Sequence, residues 1–380
     1  MYKIAHIARP IAGVGVYIKL LVKHIDDQKF ENFLICNTLD KELIIKDKSQ
    51  KEIPKFQVNL RRELNLLKDV KCLFSIINLL KKNKPDIIHC HSAKAGILGR
   101  IAGAYLKIPT IYTPHAFSYL SGENSLKRIL FLTVEKGFRF LPSRIIACSN
   151  SEYNRAVNEL HFKKNKVYIW NNSIEDITEL KPSKLLDKLP KEFICSIGRP
   201  SYQKNIKMLL EVILQVKNSI KDVHLVLLGI GLESAKIDQL KEFIKNNHLV
   251  KNITMIPWLE REEALSILKE GYMYISSARY EGLPYSVIEA LSLSKPCVVT
   301  KVDGNKDLII DNYNGYLTEL ENTKNMTEKI LLIFNEKERT EQMSKNSRKE
   351  YLNKYNIEKN INELEKIYLS EIAQYFQDIT

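Results

Sequence analysis

Short apolar runs alternate with longer stretches of helical periodicity from one end of the chain to the other. Runs of about four to eight residues, rich in Val, Ile and aromatic side chains and closed by Gly, Pro or Asn, read as strands. They fall near residues 2–8, 32–36, 86–90, 109–113, 144–148 and 167–170, then 192–197, 223–229, 252–256, 272–276 and 296–300. Strands alternating with helices predict parallel sheets joined by right-handed crossovers. Between the two sets lies Ser173 to Glu192, SIEDITELKPSKLLDKLPKE, a polar stretch with two prolines and the expected hinge. The expected domains are therefore residues 1–175 and 176–356, followed by an amphipathic, uninterrupted helical run over Ile357 to Ile379. No internal repeat or low-complexity segment interrupts this plan.

Length and composition agree with it. A chain of 380 residues exceeds one ordinary core and suits two α/β domains of roughly 170 to 190 residues. With 44% hydrophobic residues both can be buried. Cys36, Cys72, Cys90, Cys148, Cys195 and Cys297 are scattered without a CxxC pair, so they read as small buried hydrophobes in a reducing compartment. No apolar stretch approaches the roughly 18 residues of a membrane span, and no signal peptide precedes the first strand, so the expected location is cytoplasmic.

The net charge of +13 is unevenly placed. Residues 1–175 carry 29 Lys and Arg against 15 Asp and Glu, whereas residues 176–380 carry 29 against 30. The whole excess belongs to the first half. Anionic membrane surfaces attract basic clusters at about 1 kcal/mol per residue, and Lys81-Lys82-Asn83-Lys84, Arg61-Arg62 and Lys163-Lys164 are candidate contacts on a peripheral, inner-membrane face. Solvated surface lysines are the plain alternative. No nucleic-acid module accompanies the charge, so nucleic acid is not the expected partner.

Chemistry concentrates in Ala278 to Thr300, ARYEGLPYSVIEALSLSKPCVVT, where seven residues separate Glu281 from Glu289. The first carboxylate follows a strand, a Gly282-Leu283-Pro284 turn comes next, and the second lies on a helix opening with Pro284 at its first position. The amides of Leu283, Tyr285 and Ser286 are expected to point outward. A helix N-terminus attracts phosphate, and flanking carboxylates accept sugar hydroxyl hydrogens, so the pattern predicts a nucleotide-sugar pocket. The alternative is two solvated surface acids.

Upstream, Ile194 to Asn205 reads ICSIGRPSYQKN: a strand, Gly198 at the turn, then Arg199 and Lys204 ahead of a helix. Two cations at a strand's carboxyl end can hold a diphosphate and neutralise a departing nucleotide. Val223 to Glu233, VHLVLLGIGLE, adds Gly229 and Gly231 after another strand. Near the amino terminus, Arg9 to Gly15 forms a loop bearing Gly13 and Gly15 that opens onto a helix from Val16 to Ile25. Ile18 stands where a dinucleotide fingerprint needs its third glycine, which argues against a nicotinamide enzyme. His115, after Pro114 at a strand's carboxyl end, is a candidate site residue, with a hydrogen bond to loop backbone as its alternative. His89 and His91 share a strand face, yet no further ligand follows at metal-site spacing, so no metal site is expected.

Together these segments resemble the retaining GT-B glycosyltransferases of family 4, particularly the bacterial capsule and O-antigen members, and the resemblance runs through nearly the whole chain. It implies two Rossmann-like domains with parallel sheets facing across a cleft, and a final helix, residues 357–380, that returns to the amino-terminal domain. Asp303 to Ile309 is similar to the family's Gly-Gly/Asn-x-Glu-Leu-Ile segment, and Asn314 to Leu317 to its Asn-Gly-x-Leu turn. The resemblance gives Glu281 the donor sugar, Glu289 the ribose, and Arg199 and Lys204 the donor diphosphate. It places the Gly13–Gly15 loop over the reacting sugar and makes His115 a contact to that sugar or to the acceptor. It further implies a nucleotide-diphosphate sugar, a UDP-sugar, as donor and a lipid-diphosphate-linked glycan as acceptor, with retention of configuration and no metal or other cofactor. No DxD and no nucleophilic acid assignable by position contradict it. The competing functions are a nucleotide-sugar 2-epimerase of the same fold and a non-catalytic membrane-surface or nucleic-acid binding protein.

Overall fold

The computed structural model describes residues 1–37, 43–61, 63, 65–121, 124–231 and 235–377. Arg62 and Glu233 lie outside the described residues, as do 378–380 of the final helical run. The chain forms two compact units, one built from 1–175 with the carboxyl-terminal segment from Ile357, the other from 176–356.

The first unit opens with β1 (Tyr2–Ala8), α1 (Gly13–His24), β2 (Phe30–Cys36), β3 (Lys55–Gln57), α2 (Leu66–Asn83) and β4 (Ile87–His91). It continues with α3 (Ala93–Leu106), β5 (Thr110–Thr113), α4 (Ser125–Gly137), β6 (Ser143–Ala147), α5 (Asn150–Asn154) and β7 (Val167–Ile169). All seven strands are parallel, in the order β3-β2-β1-β4-β5-β6-β7. Helices cover both faces, so strands such as β4, IIHCH, are buried at every position.

The second unit runs β8 (Ile194–Ile197), α6 (Ile206–Val216), β9 (Leu225–Leu228), α7 (Ala235–Asn246), β10 (Ile253–Ile256), α8 (Arg261–Glu270), β11 (Met273–Ser276) and α9 (Tyr285–Ser292). Then come β12 (Cys297–Thr300), α10 (Asn305–Leu308), β13 (Gly315–Thr318), α11 (Thr323–Asn335) and α12 (Lys337–Lys354). Its six strands are also parallel, ordered β10-β9-β8-β11-β12-β13. Apolar side chains of α6 and α11 pack with strand residues such as Ile194, Leu225, Leu227, Ile275 and Val298 in its core.

The last helix, α13 (Ile357–Gln377), belongs to the first unit. Glu365 Oε1 accepts from Asp26 N at 2.9 Å, and Glu371 Oε1 accepts from Tyr168 Oη at 2.6 Å and Arg144 Nε at 3.1 Å. All six cysteines are free and buried.

Two strands escape the sequence pattern, and three helix boundaries move. β3, KFQ, is a short edge strand without an apolar run. β13, GYLT, occupies the segment read as a turn. Helix α1 begins at Gly13, so Gly13 and Gly15 are helical residues and the positive φ of 52° falls on Ala12. Gly15 is needed for space, since a Cβ there would stand 2.8 Å from Pro10 O. α1 also ends at His24, one residue early, and α9 starts after Pro284, which caps it in extended conformation with ψ of 122°.

Candidate active site

In a doubly wound sheet ligands bind beyond the carboxyl ends of the strands where the order reverses. The second unit reverses at β8 and β11, and two tied loops leave those strands. A Cβ on Gly198 would lie 3.1 Å from Lys204 Cγ, so the glycine lets the lysine stem pass over it. Lys204 Nζ reaches Glu281 Oε1 at 2.6 Å, while Gln203 Nε2 donates to Glu281 Oε2 and Tyr280 O, each at 3.1 Å. Arg279 holds the same loops from outside: its guanidinium stacks 4.4 Å from the Tyr202 ring and bonds Tyr202 O and Glu321.

Glu281 is 7% exposed and Glu289 9%, which overturns the alternative of solvated acids. Between them Gly282, Leu283 and Pro284 are buried and Tyr285 is half-buried. Glu289 is held by Arg261 of α8, whose Nε lies 2.9 Å from Oε1. Burial raises the Glu289 pKa, against the pull of that guanidinium. Arg261 Nη2 is buried without a hydrogen-bond partner among the described residues. The structure thus adds a residue that sequence reading missed, because an arginine opening a polar helix reads as surface.

Gly304 is the second addition. Its φ of +76° and a virtual Cβ only 2.6 Å from Gly282 O mean that no other residue fits against the glutamate loop there. Gly229, at φ +82°, turns the chain beside Gly198, whose amide donates to Leu228 O at 2.9 Å. Gly231 is exposed, with nothing within 4 Å of a virtual Cβ. Arg199 is exposed and forms no ion pair among the described residues, so the two expected cations differ: Lys204 is engaged with Glu281 and Arg199 is not.

The first unit reverses at β1 and β4, and four histidines gather around that point. His6 of β1 bonds Asn32 Oδ1 through Nε2 at 3.0 Å and His91 Nε2 through Nδ1 at 3.1 Å. His91 Nδ1 lies 3.3 Å from His115 Nε2. His89 bonds Tyr368 Oη at 2.6 Å and Thr113 Oγ1 at 2.8 Å. The Tyr17 ring of α1 packs T-shaped against His115, with ring centroids 4.6 Å apart. His115 and Ala116 both have positive φ, 54° and 77°, and Glu152 holds that strained turn by accepting from Ala116 N at 2.8 Å. The partner of His115 is therefore a side chain, not loop backbone.

One expectation about metal needs correction. His6 supplies the third histidine that local spacing could not show, and ring nitrogens of His6, His89 and His91 lie within 4.8 Å of one another. All six ring nitrogens of these residues are nonetheless engaged in the hydrogen bonds above, so binding an ion would require breaking several of them.

Burial lowers the pKa of His6 to about 4 and of His115 to about 3, with His89 and His91 pushed well below the usual value. The unfolded chain then binds more protons than the folded one as pH drops below about 6.5, and stability is lost in that direction. Each histidine contributes a slope that grows toward a limit of about 1.4 kcal/mol per pH unit as pH falls through that range. The denaturation midpoint of the first unit, followed through Trp170, is expected to fall between pH 7.5 and 5.5. A flat profile would contradict neutral histidines.

Residues 177–350 match the family described as Glycosyl transferases group 1, and residues 11–176 match Glycosyltransferase Family 4. The UDP-Gal:alpha-D-GlcNAc-diphosphoundecaprenol alpha-1,3-galactosyltransferase of Escherichia coli is 27% identical over 98% of this chain and 97% of its own. The capsular polysaccharide biosynthesis glycosyltransferase CapM of Staphylococcus aureus is 26% identical over 82% of this chain and 83% of its own. Anabaena HepE, solved in complex with UDP and glucose, shares the fold with a TM-score of 0.80 over 97% of this chain and 100% of its own, at 18% identity.

Proposed function

We propose a reaction from one premise: this chain belongs to glycosyltransferase family 4, its two halves matching over residues 11–176 and 177–350. It moves a hexose from a nucleotide-diphosphate donor, a UDP-sugar, to a hydroxyl of a lipid-diphosphate-linked glycan in bacterial surface polysaccharide synthesis, with retention of configuration. The observation that carries this reading is the buried Glu281 on Lys204 beside an exposed Arg199, all at the switch point of the second sheet. The relatives lend support, since the Escherichia coli enzyme is named for UDP-Gal and a diphosphoundecaprenol acceptor.

In this reading Arg199 and Lys204 take the donor diphosphate and stabilise the charge that grows as the glycosyl bond breaks. Glu281 accepts hydrogens from the sugar hydroxyls, and Glu289, oriented by Arg261, accepts them from the ribose. His115 meets a hydroxyl of the donor sugar or the acceptor. The departing phosphate receives the acceptor proton on the face from which the acceptor attacks, and these two cations carry the leaving-group charge without a metal.

UDP binding tests the donor half. The chain has two tryptophans, Trp170 buried and Trp258 72% exposed, three residues before Arg261. UDP is expected to change Trp258 emission, and Arg261→Ala to weaken that binding about tenfold, the cost of one lost charged hydrogen bond. Equal UDP affinity in Arg261→Ala would remove Glu289 from the ribose.

The lipid-linked acceptor makes an anionic bilayer the partner of the first unit. Leu66 and Leu67 are 80% and 79% exposed at the start of α2, with Val70 and Phe74 farther along and Leu126, Ile129 and Leu130 exposed on α4. Exposed Lys68, Lys71, Lys127 and Arg128 interleave with them, so apolar and cationic groups alternate on both helices. Arg100 of α3 pairs with Glu135 of α4, and α3 packs beside α2, which places these helices in one layer. Lys81, Lys82, Lys84, Lys163 and Lys164 are exposed as well. No described helix is long and apolar enough to cross a membrane. Flotation with anionic vesicles is expected, weakened by salt and by Leu67→Asp with Ile129→Asp. Equal flotation with neutral vesicles would refute the electrostatic part.

A further inference from the structure

The histidine chain of the first unit has a direction. A neutral imidazole donates from one nitrogen and accepts at the other, so each ring passes on the polarity it receives. Asn32, 3% exposed on β2, directs Oδ1 at His6 Nε2 across 3.0 Å. With Oδ1 in that place and Nδ2 buried without a partner among the described residues, the hydrogen of His6 is on Nε2, because a carbonyl oxygen only accepts, and its Nδ1 is an acceptor. His91 Nε2, 3.1 Å away, must then donate, which leaves His91 Nδ1 as acceptor. His115 Nε2, 3.3 Å from that atom, must donate in turn, and His115 Nδ1 is left as a lone pair. His89 takes no part in the line but packs beside His91, with ring centroids 4.1 Å apart and planes tilted by 37°.

We propose that Asn32, acting through His6 and His91, fixes His115 as the Nε2–H tautomer, so that its Nδ1 accepts from a sugar or acceptor hydroxyl and cannot donate to a phosphate oxygen. Asn32, His6 and His91 are then positioning residues for His115. If the amide of Asn32 turned to present Nδ2, all three rings would reverse and His115 Nδ1 would become a donor. One side chain three rings away therefore selects which class of group His115 can meet. The inference rests on the reading that His115 serves the transfer reaction.

The test is 15N NMR of the full chain labelled at histidine ring nitrogens, at pH 7.5, with His115→Asn used only to assign signals. The wild type is expected to show His6, His91 and His115 protonated at Nε2. In Asn32→Leu the His115 hydrogen is expected to redistribute toward Nδ1, with kcat/KM down about tenfold. Asn32→Asp keeps an acceptor at that place and is expected to restore the tautomer and most of the activity. A wild-type His115 protonated at Nδ1 would overturn the inference by itself, whether or not any variant folds. So would a tautomer unmoved in Asn32→Leu, and either result leaves the transfer reaction standing. A tautomer that follows Asn32 with kcat/KM unchanged would instead remove His115 from the reacting hydroxyl.

Discussion

Replacing Lys204 by methionine is expected to lower turnover by roughly 10² to 10³, the loss seen when one preorganised group facing developing charge is removed. Lys204 has two duties that must be separated. Its Nζ is 2.6 Å from Glu281 Oε1, and the Glu281 side chain is only 8% exposed. Without the ammonium, the carboxylate keeps, among the described residues, the Gln203 amide alone, and the variant loses stability as well as charge. Lys204→Met with Glu281→Gln relieves the unpaired charge. The double variant is therefore expected to regain the melting temperature while turnover stays low, because the ammonium that would meet the departing phosphate is still missing. Steady-state kinetics beside thermal melts check this. Turnover within a few-fold of wild type in Lys204→Met would take the lysine out of the site.

Glu135→Ala is expected to destabilise the first unit by about 3–5 kcal/mol, the cost of leaving one member of a buried ion pair alone. Arg100 and Glu135 side chains are 0% and 1% exposed, with Nη2 and Oε2 at 3.1 Å. Tyr112 Oη donates to Glu135 Oε1 at 2.9 Å, and Arg100 Nε donates to Gly96 O at 2.9 Å. The guanidinium also stacks on Tyr112 and Phe138, at 4.1 and 4.3 Å. Removing the carboxylate strands a cation in this apolar sandwich and leaves the Tyr112 hydroxyl without its acceptor. Arg100→Met with Glu135→Leu removes both charges at similar volume and is expected to recover most of the loss. Urea denaturation in a Trp258→Phe background, where Trp170 reports the first unit alone, gives the number. A change under about 1 kcal/mol for Glu135→Ala would mean that water reaches the pair.

These two sites also show what the sequence reveals and what it hides. The two Rossmann-like sheets of the GT-B fold are legible because strands covered on both faces are apolar nearly throughout, as in Leu225 to Leu228, or in Ile4 to Ala8 with His6 its one exception. β3 is not legible, since an edge strand reading KFQ has no such pressure. β13 is lost for a different reason. Gly315 opens it because a Cβ would lie 2.1 Å from Cys297 O, but a glycine after Asn314 reads as a turn.

At the candidate site, Glu281, Glu289 and Lys204 stand out by their positions after apolar runs. Which cation meets which carboxylate is a tertiary fact: Lys204 is 77 residues from Glu281, and Arg261 is 28 from Glu289. His6 is concealed inside the apolar run IAHIA, where a lone histidine reads as core. Gly304 gives its reason only when Gly282 O is seen against it.

The most direct test of the transferase account is a coupled assay with UDP-sugars, run with and without a lipid-diphosphate-linked glycan. The account predicts UDP release only when the acceptor is present, with the sugar recovered on the glycan in its original anomeric configuration. Release of UDP or an epimerised sugar from donor alone, with nothing added to the glycan, would contradict it.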